Sequence, residues 1–215
     1  MGVNMVGNCI SDDTVVREAS KQEIIRRYYT ALCDQRENMG SSNIVHKLDL
    51  LMKQANLTTA NRRVVAAANE KAEQTENPVT AIELPDGTIV TGKTSSLLGA
   101  SAAMLLNALK CLAGIGDEVL LIPQNIIEPV QHLKVDYLHN RNPRLHTDEV
   151  MIVLSICAVS SPLAAKALEQ LDKLKGCEVH SSVILSEIDV KTFKKLGINL
   201  TCEPTYQINK LYHAK

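Results

Sequence analysis

Residues Gly87-Thr-Ile-Val-Thr-Gly92-Lys93-Thr94 spell the phosphate-binding pattern G-x-x-x-x-G-K-[ST]. In a true phosphate loop, backbone N–H groups wrap the phosphates, the lysine adds positive charge and the hydroxyl reaches a magnesium ion. Here the four intervening residues are all β-branched, which favours an extended strand. Pro85-Asp86-Gly87 is moreover a turn signature, because proline presets φ and glycine accepts a positive one. The stretch therefore predicts a hairpin strand rather than a phosphate loop. Its C-terminal end carries a second possibility. Gly92, Lys93, Thr94, Ser95 and Ser96 stand at the entrance to an apolar helical segment, where free N–H groups and the positive end of the dipole suit an anion. In the simpler reading, Thr94 or Ser95 merely caps that helix.

Two other groups could do chemistry. Cys177-Glu178-Val179-His180 and the later Cys202-Glu203 offer thiolate, imidazole and carboxylate ligands of the kind zinc accepts. Strand alternation sends Cys177 and Val179 to one face and Glu178 and His180 to the other. A buried cysteine and a surface histidine are expected, with no metal and no cofactor. No local signature accompanies a Cys–His nucleophile pair. The loop His139 to Glu149 collects Asn142, Arg144, His146 and Asp148, with Arg144 as a forked donor for phosphate or carboxylate. Its plainer reading is a solvated loop in which Thr147 caps a helix while Asp148 and Glu149 complement the dipole. Lys93, Thr94, Ser95, Arg144, His146 and Ser181 form the candidate ligand-binding set, for a small phosphorylated ligand; no catalytic residue is assigned.

Composition narrows the classes. The chain has 215 residues, 45% hydrophobic and 22% charged, with a net charge of -1. That suits an ordinary globular protein and gives no electrostatic footprint for nucleic acid. One Phe, five Tyr and no Trp leave little for base stacking. The basic run at Arg26-Arg27 has Glu18, Glu23 and Asp34 as neighbours and reads as a mixed-charge helix face. No secretory start is evident in MGVNMVGNCI, so a cytoplasmic protein is expected. The apolar runs at 101–115 and 150–165 fall short of the roughly 20 residues a membrane span needs. They predict buried helices and no membrane partner. The six cysteines, Cys9, Cys33, Cys111, Cys157, Cys177 and Cys202, are scattered without C-x-x-C spacing and predict reduced thiols.

Helical patterning, opening at Ser11, runs to about residue 77, which predicts a helical arm over 1–77. From Pro78 β-branched runs alternate with helices: VTAIEL, TIVTG, EVLLI, EVHSSVIL and INLTCE are strand candidates. An α/β domain over 78–215, able to fold on its own, is the expectation.

The stretches AIELPDGTIVTGKTSSLLGASAAMLLNALK, NPRLHTDEV, LEQLDKLKGCEVHSSVILS and FKKLGINLTCEP, with GVNMVGNCISDD near the start, resemble the bacterial family known as domain of unknown function 1846. The resemblance runs from Gly2 to about Pro204 and implies the C-terminal half of that family only. It implies an α/β three-layer αβα sandwich similar to the cytidine deaminase architecture, preceded by the helical arm. The zinc deaminase pattern H-x-E with P-C-x-x-C is not in this sequence, so the fold lends no deaminase chemistry. A glycine-rich GPGSGK-like segment is implied for the other half. Two functions are expected from the resemblance. One is a fragment of a nucleotide- or phosphate-ligand enzyme. The other is a non-catalytic scaffold or assembly module, partnered by the missing N-terminal half or by a second copy in a homo-oligomer.

Overall fold

The computed structural model describes residues 13–207; Cys9 and the expected helix start at Ser11 lie outside them. Within that range the chain forms eight α-helices and four β-strands. Three helices come first, α1 (Asp13–Arg36), α2 (Ser42–Gln54) and α3 (Arg63–Thr75). Strands β1 (Val79–Glu83) and β2 (Ile89–Lys93) lead into α4 (Ala100–Ala113). Then come α5 (Gln124–His132), a short π-helical turn at Leu133–Tyr137, α6 (Thr147–Ala158) and α7 (Pro162–Leu168). The described chain closes with β3 (Glu178–Ser181), α8 (Glu187–Lys195) and β4 (Asn199–Cys202).

The strands form one mixed sheet in the order β2-β1-β3-β4. β1 runs antiparallel to both neighbours while β3 and β4 are parallel, so β2, β3 and β4 all point the same way. Their carboxyl ends share one margin with the start of β1. In the β1–β2 hairpin, Gly87 has φ +82° and its N–H donates to Leu84 O at 2.8 Å, while Asp86 Oδ1 accepts the Thr88 N–H. The hairpin expected from Pro-Asp-Gly is present. Gly92 serves packing: a Cβ there would lie 2.0 Å from Met104 N, because α4 crosses directly over β2.

Alternation sorts the two faces of the sheet. Ala81 packs with Val64 and Ala68 of α3, whereas Ile82 and Val179 join Met104, Leu105, Leu109, Val153, Leu154 and Phe193 in the main core. Arg62, 1% exposed, anchors the helical segment to the sheet. It donates to Val179 O at 2.8 Å, Asn199 O at 2.7 Å and Thr201 Oγ1 at 2.9 Å, and pairs with Glu178.

One expected strand does not form. Glu118 to Ile122 is irregular, with Leu121 and Ile122 buried in the main core. A short apolar run signals burial, and burial against helices satisfies it as well as a sheet does. Lys110 of α4 donates to Asp117 O at 2.7 Å and fixes the start of this loop. No helix among the described residues is long and apolar enough to cross a membrane.

Candidate functional site

Beyond β2 the chain turns through Thr94 and enters α4 behind Gly99, which supplies no side-chain cap. A helix leaves its first amides without intrahelical partners, so this entrance is electropositive and donor-rich. It opens on a cavity of about 70 Å³ lined by Thr94, Ser101, Arg144, His146, Ser186 and Asp189 among others. Space of that size holds a few water-sized groups, or roughly one oxyanion. Ser101 is 2% exposed and its Oγ has no hydrogen-bond partner among the described residues. A buried hydroxyl in that state carries a desolvation cost that a ligand oxygen would relieve.

Arg144 is buried, with Nε donating to Ser95 O at 2.6 Å. Its own carbonyl accepts from the buried Lys134, whose Nζ also meets Glu149 Oε2 at 2.7 Å. His146 occupies the N-cap position of α6, and its N–H donates to Glu149 Oε2. Thr147, expected as the cap, is instead the first helical residue. Its N–H and hydroxyl both donate to Asp189 Oδ1, at 3.0 and 2.9 Å. Asp189 thus caps α6 from another helix. Its Oδ2 accepts from Ser186 Oγ at 2.7 Å and faces His146 Nδ1 at 3.0 Å. The bond to Asp189 holds the His146 imidazole above its usual pKa, against the opposing effect of burial. Burial would raise Asp189, but His146, the Thr147 amide and Ser186 outweigh it and hold the carboxyl below its ordinary range. The result is a hydrogen-bonded histidine–carboxylate pair beside the helix entrance, with the Asn142 amide nitrogen 3.4 Å from His146 Nε2.

Of the sequence candidates, Thr94, Arg144 and His146 line this one cavity. Ser95 stands beside it, with its carbonyl on Arg144 and its Oγ accepting the Leu97 and Leu98 amides. Lys93 is exposed at the end of β2, and Ser181 is buried in β3; neither lines the cavity. Sequence reasoning missed Ser101, Ser186 and Asp189. For the last two a signal existed, since Ser186-x-x-Asp189 is a capping-box spacing. The Asp189 N–H does donate to Ser186 Oγ.

The Cys/His/Glu set separates. His180 is fully buried, not a surface residue, and its Nε2 lies 3.2 Å from Glu203 Oε1. The reason is packing: Tyr29 of α1 lies over its ring at 4.9 Å between centroids. Glu178 pairs with Arg26 and Arg62, while Cys177 joins the main core. Among the described residues no such group is placed to hold a metal ion. Cys33, Cys111, Cys157, Cys177 and Cys202 are free thiols. Burial pushes the Cys202 thiol up to about 12, which leaves no thiolate for a Cys–His pair.

The family model described as the C-terminal part of the domain of unknown function DUF1846 matches residues 60–212. The chain belongs to the DUF1846 family. A second model, described as the N-terminal part of that domain, matches residues 1–56. The expectation of a C-terminal half alone is corrected accordingly: both parts of the DUF1846 domain are represented here. A UPF0371 protein of Corynebacterium urealyticum is 54% identical over 215 residues, covering 100% of this chain and 43% of the relative. UPF0371 proteins of Streptococcus pneumoniae and Streptococcus thermophilus are each 50% identical over 212 residues, 99% of this chain and 43% of theirs. The chain thus spans less than half the length of these relatives. The DUF1846 descriptions assign no reaction, in keeping with the expectation of an uncharacterised family.

Proposed function

We propose that this chain binds the oxyanion of a small phosphorylated ligand at the entrance to α4, as one part of a nucleotide- or phosphate-ligand enzyme of the DUF1846 family. Ser101 carries the reading: a hydroxyl 2% exposed and without a partner among the described residues, facing a cavity rimmed by Arg144 and His146. Thr94 and the first amides of α4 complete the donors, as in other anion sites at helix entrances. Lys93, Ser95 and Ser181 then belong to the surroundings rather than to the ligand.

Titration calorimetry with inorganic phosphate tests it. Ser101→Ala removes an unpaired buried hydroxyl, so the fold should hold its stability while phosphate affinity falls about tenfold. Arg144→Ala should weaken binding further. Phosphate affinity unchanged in both variants would refute the site.

A second reading, as an assembly module, has its own support. Ile152 and Ile156 of α6 are 61% and 62% exposed, and Val159 and Leu163 continue the apolar strip. A strip of that kind suits a protein partner, either the remaining part of the longer relatives or a second copy. Light scattering on Ile156→Lys tests it: a monomeric wild type in the presence and absence of that remaining part would remove the reading. For architecture we favour the three-layer αβα sandwich, with α1 and α3 on one face and α4, α6 and α8 on the other. The likeness to cytidine deaminases, the division at residue 78 and a cytoplasmic location belong to the same proposal.

A further inference from the structure

Ser101 and His146 come from segments that run side by side. The Gly99 N–H donates to Leu145 O at 3.2 Å and the Leu145 N–H to Leu97 O at 3.0 Å, a parallel pairing. His146 follows Leu145 by one residue and Ser101 follows Gly99 by two, so both line the cavity of about 70 Å³ at the α4 entrance. Ser101 brings a buried hydroxyl without a hydrogen-bond partner among the described residues. His146 brings an oriented imidazole. Its Nδ1 lies 3.0 Å from Asp189 Oδ2, an ionised carboxylate that only accepts, so the ring donates there. Ser186 gives its own proton to Asp189 at 2.7 Å and can only accept from Nδ1 at 3.3 Å. Asn142 fixes the other nitrogen: its Oδ1 accepts the Arg144 N–H at 3.1 Å, which turns its NH2 toward Nε2 at 3.4 Å. That group only donates, so the neutral ring keeps its proton on Nδ1 and its lone pair on Nε2. The contact on Nε2 is long, and a hydroxyl proton can displace it.

Hydroxyl, imidazole and carboxylate in this order are the parts of an activated nucleophile: the carboxylate orients the ring and the ring takes the hydroxyl proton. Asp189 also makes the His146 imidazole more basic than usual. Thr94, Arg144 and the first α4 amides are placed to hold phosphoryl oxygens as their charge shifts during transfer. A larger cleft, about 600 Å³, adjoins the cavity and shares Pro78, Val183 and Gln207 with it. It has room for an ester group that the small cavity excludes. We infer that the site hydrolyses a phosphate monoester through a phosphoryl-Ser101 intermediate, with His146 as general base and Asp189 as its positioning residue. This rests on the oxyanion reading above. In the first step Ser101 Oγ bonds to phosphorus, its proton passes to His146 Nε2, and the bond from phosphorus to the ester oxygen breaks in line. The leaving alkoxide takes a proton from water in the cleft. In the second step the hydroxide so formed attacks phosphorus from the vacated side, the Ser101–phosphorus bond breaks, and Ser101 recovers its proton from His146. Ester and water become alcohol and hydrogenphosphate, and the protein is unchanged.

The test uses the full chain with p-nitrophenyl phosphate, whose leaving group is coloured, and inorganic phosphate in calorimetry. Wild type should release p-nitrophenolate and, quenched in acid during turnover, should carry one phosphoryl group on the peptide containing Ser101. Mass spectrometry reads that label. Ser101→Ala should lose it and lower kcat about a thousandfold or more. His146→Gln should lower kcat about a hundredfold. Asp189→Asn should lower kcat by about a hundredfold as well, with KM within about twofold of wild type. A merely structural fault at Asp189 would instead move KM and phosphate affinity together. If His146→Gln melts early, Ser101→Ala still decides, because it removes only an unpaired hydroxyl. Phosphate bound in calorimetry without a labelled Ser101, or turnover that Ser101→Ala leaves intact, overturns the inference and keeps the oxyanion site. Absence of phosphate binding refutes both.

Discussion

Replacing Asp189 by Asn tests the organisation of the oxyanion cavity. Among the described residues the carboxylate accepts four hydrogen bonds, two from Thr147 at Oδ1 and one each from Ser186 and His146 at Oδ2. Asparagine keeps the oxygen that serves Thr147. Its amide group, however, puts a donor where Ser186 and His146 also donate. The serine hydroxyl can turn and accept, but His146 Nδ1 can accept only by giving up its proton. A ring that accepts at Nδ1 must carry its proton on Nε2, which faces the Asn142 amide nitrogen at 3.4 Å. One charge-assisted pair becomes a neutral one, at a cost of about 2 kcal/mol, which for a chain of this size lowers Tm by roughly 4–8 °C. The pH dependence has a definite sign. His146 is raised in the folded state, so its contribution is complete below the unfolded imidazole value of about 6.5 and is lost as pH rises through the folded one. Asp189 is depressed, so its contribution is present above an unfolded value of about 3.9 and is lost as pH falls through the folded one. The stability gap between wild type and Asp189→Asn should therefore be widest near pH 5.5 and narrower at pH 8.5. Urea unfolding at both pH values measures the gap, and imidazole ¹⁵N shifts follow His146 directly. An equal gap at both pH values, with an unmoved His146 titration, would refute the pairing.

Other substitutions probe other parts. Gly92→Ala drives a Cβ into the Met104 backbone, which cannot yield as a side-chain tip would, and should cost about 3 kcal/mol in chemical unfolding. Gly87→Ala meets only the Arg63 side chain, in ordinary contact at 3.7 Å, but has an unfavourable φ of +82°, and should cost only about 1–2 kcal/mol in the same assay. Arg62→Ala takes one of two guanidinium partners from Glu178, which keeps Arg26, and a donor from each of two strand carbonyls, and should cost about 1–3 kcal/mol. In timed alkylation mapped by mass spectrometry, exposed Cys111 should label well before Cys33 and Cys202, whose thiols burial pushes up to about 12.

The hairpin was legible because Pro85-Asp86-Gly87 and the β-branched run agree on one local conformation. Gly92 was not, since its purpose is set by Met104 on a helix that must first fold back over it. Thr94, Arg144 and His146 could be picked out singly, as polar residues at a helix entrance and in a polar loop. Their convergence depends on Leu145, whose N–H and carbonyl bond Leu97 O and Gly99 N and so tie the two segments together. Periodicity carries no trace of such a bond. Glu118 to Ile122 misled because apolar runs report burial and not the partner. His180 misled in the opposite sense: alternation assigned it to the correct face, but not the helix that covers that face.

The order of the strands has a consequence for how the protein is made. β1 meets β2 across a short turn, but its other neighbour, β3, arrives roughly a hundred residues later, and long loop closures slow folding. During synthesis one edge of β1 must wait, unpaired, until Glu178 to Ser181 have emerged, with only the helices to shield it. Both cavities draw on walls at 182–189 or 203–207, so no ligand can recruit the early chain. A ligand can reward only the finished molecule, and premature termination upstream of β3 would leave an open-edged sheet prone to pair with its own kind.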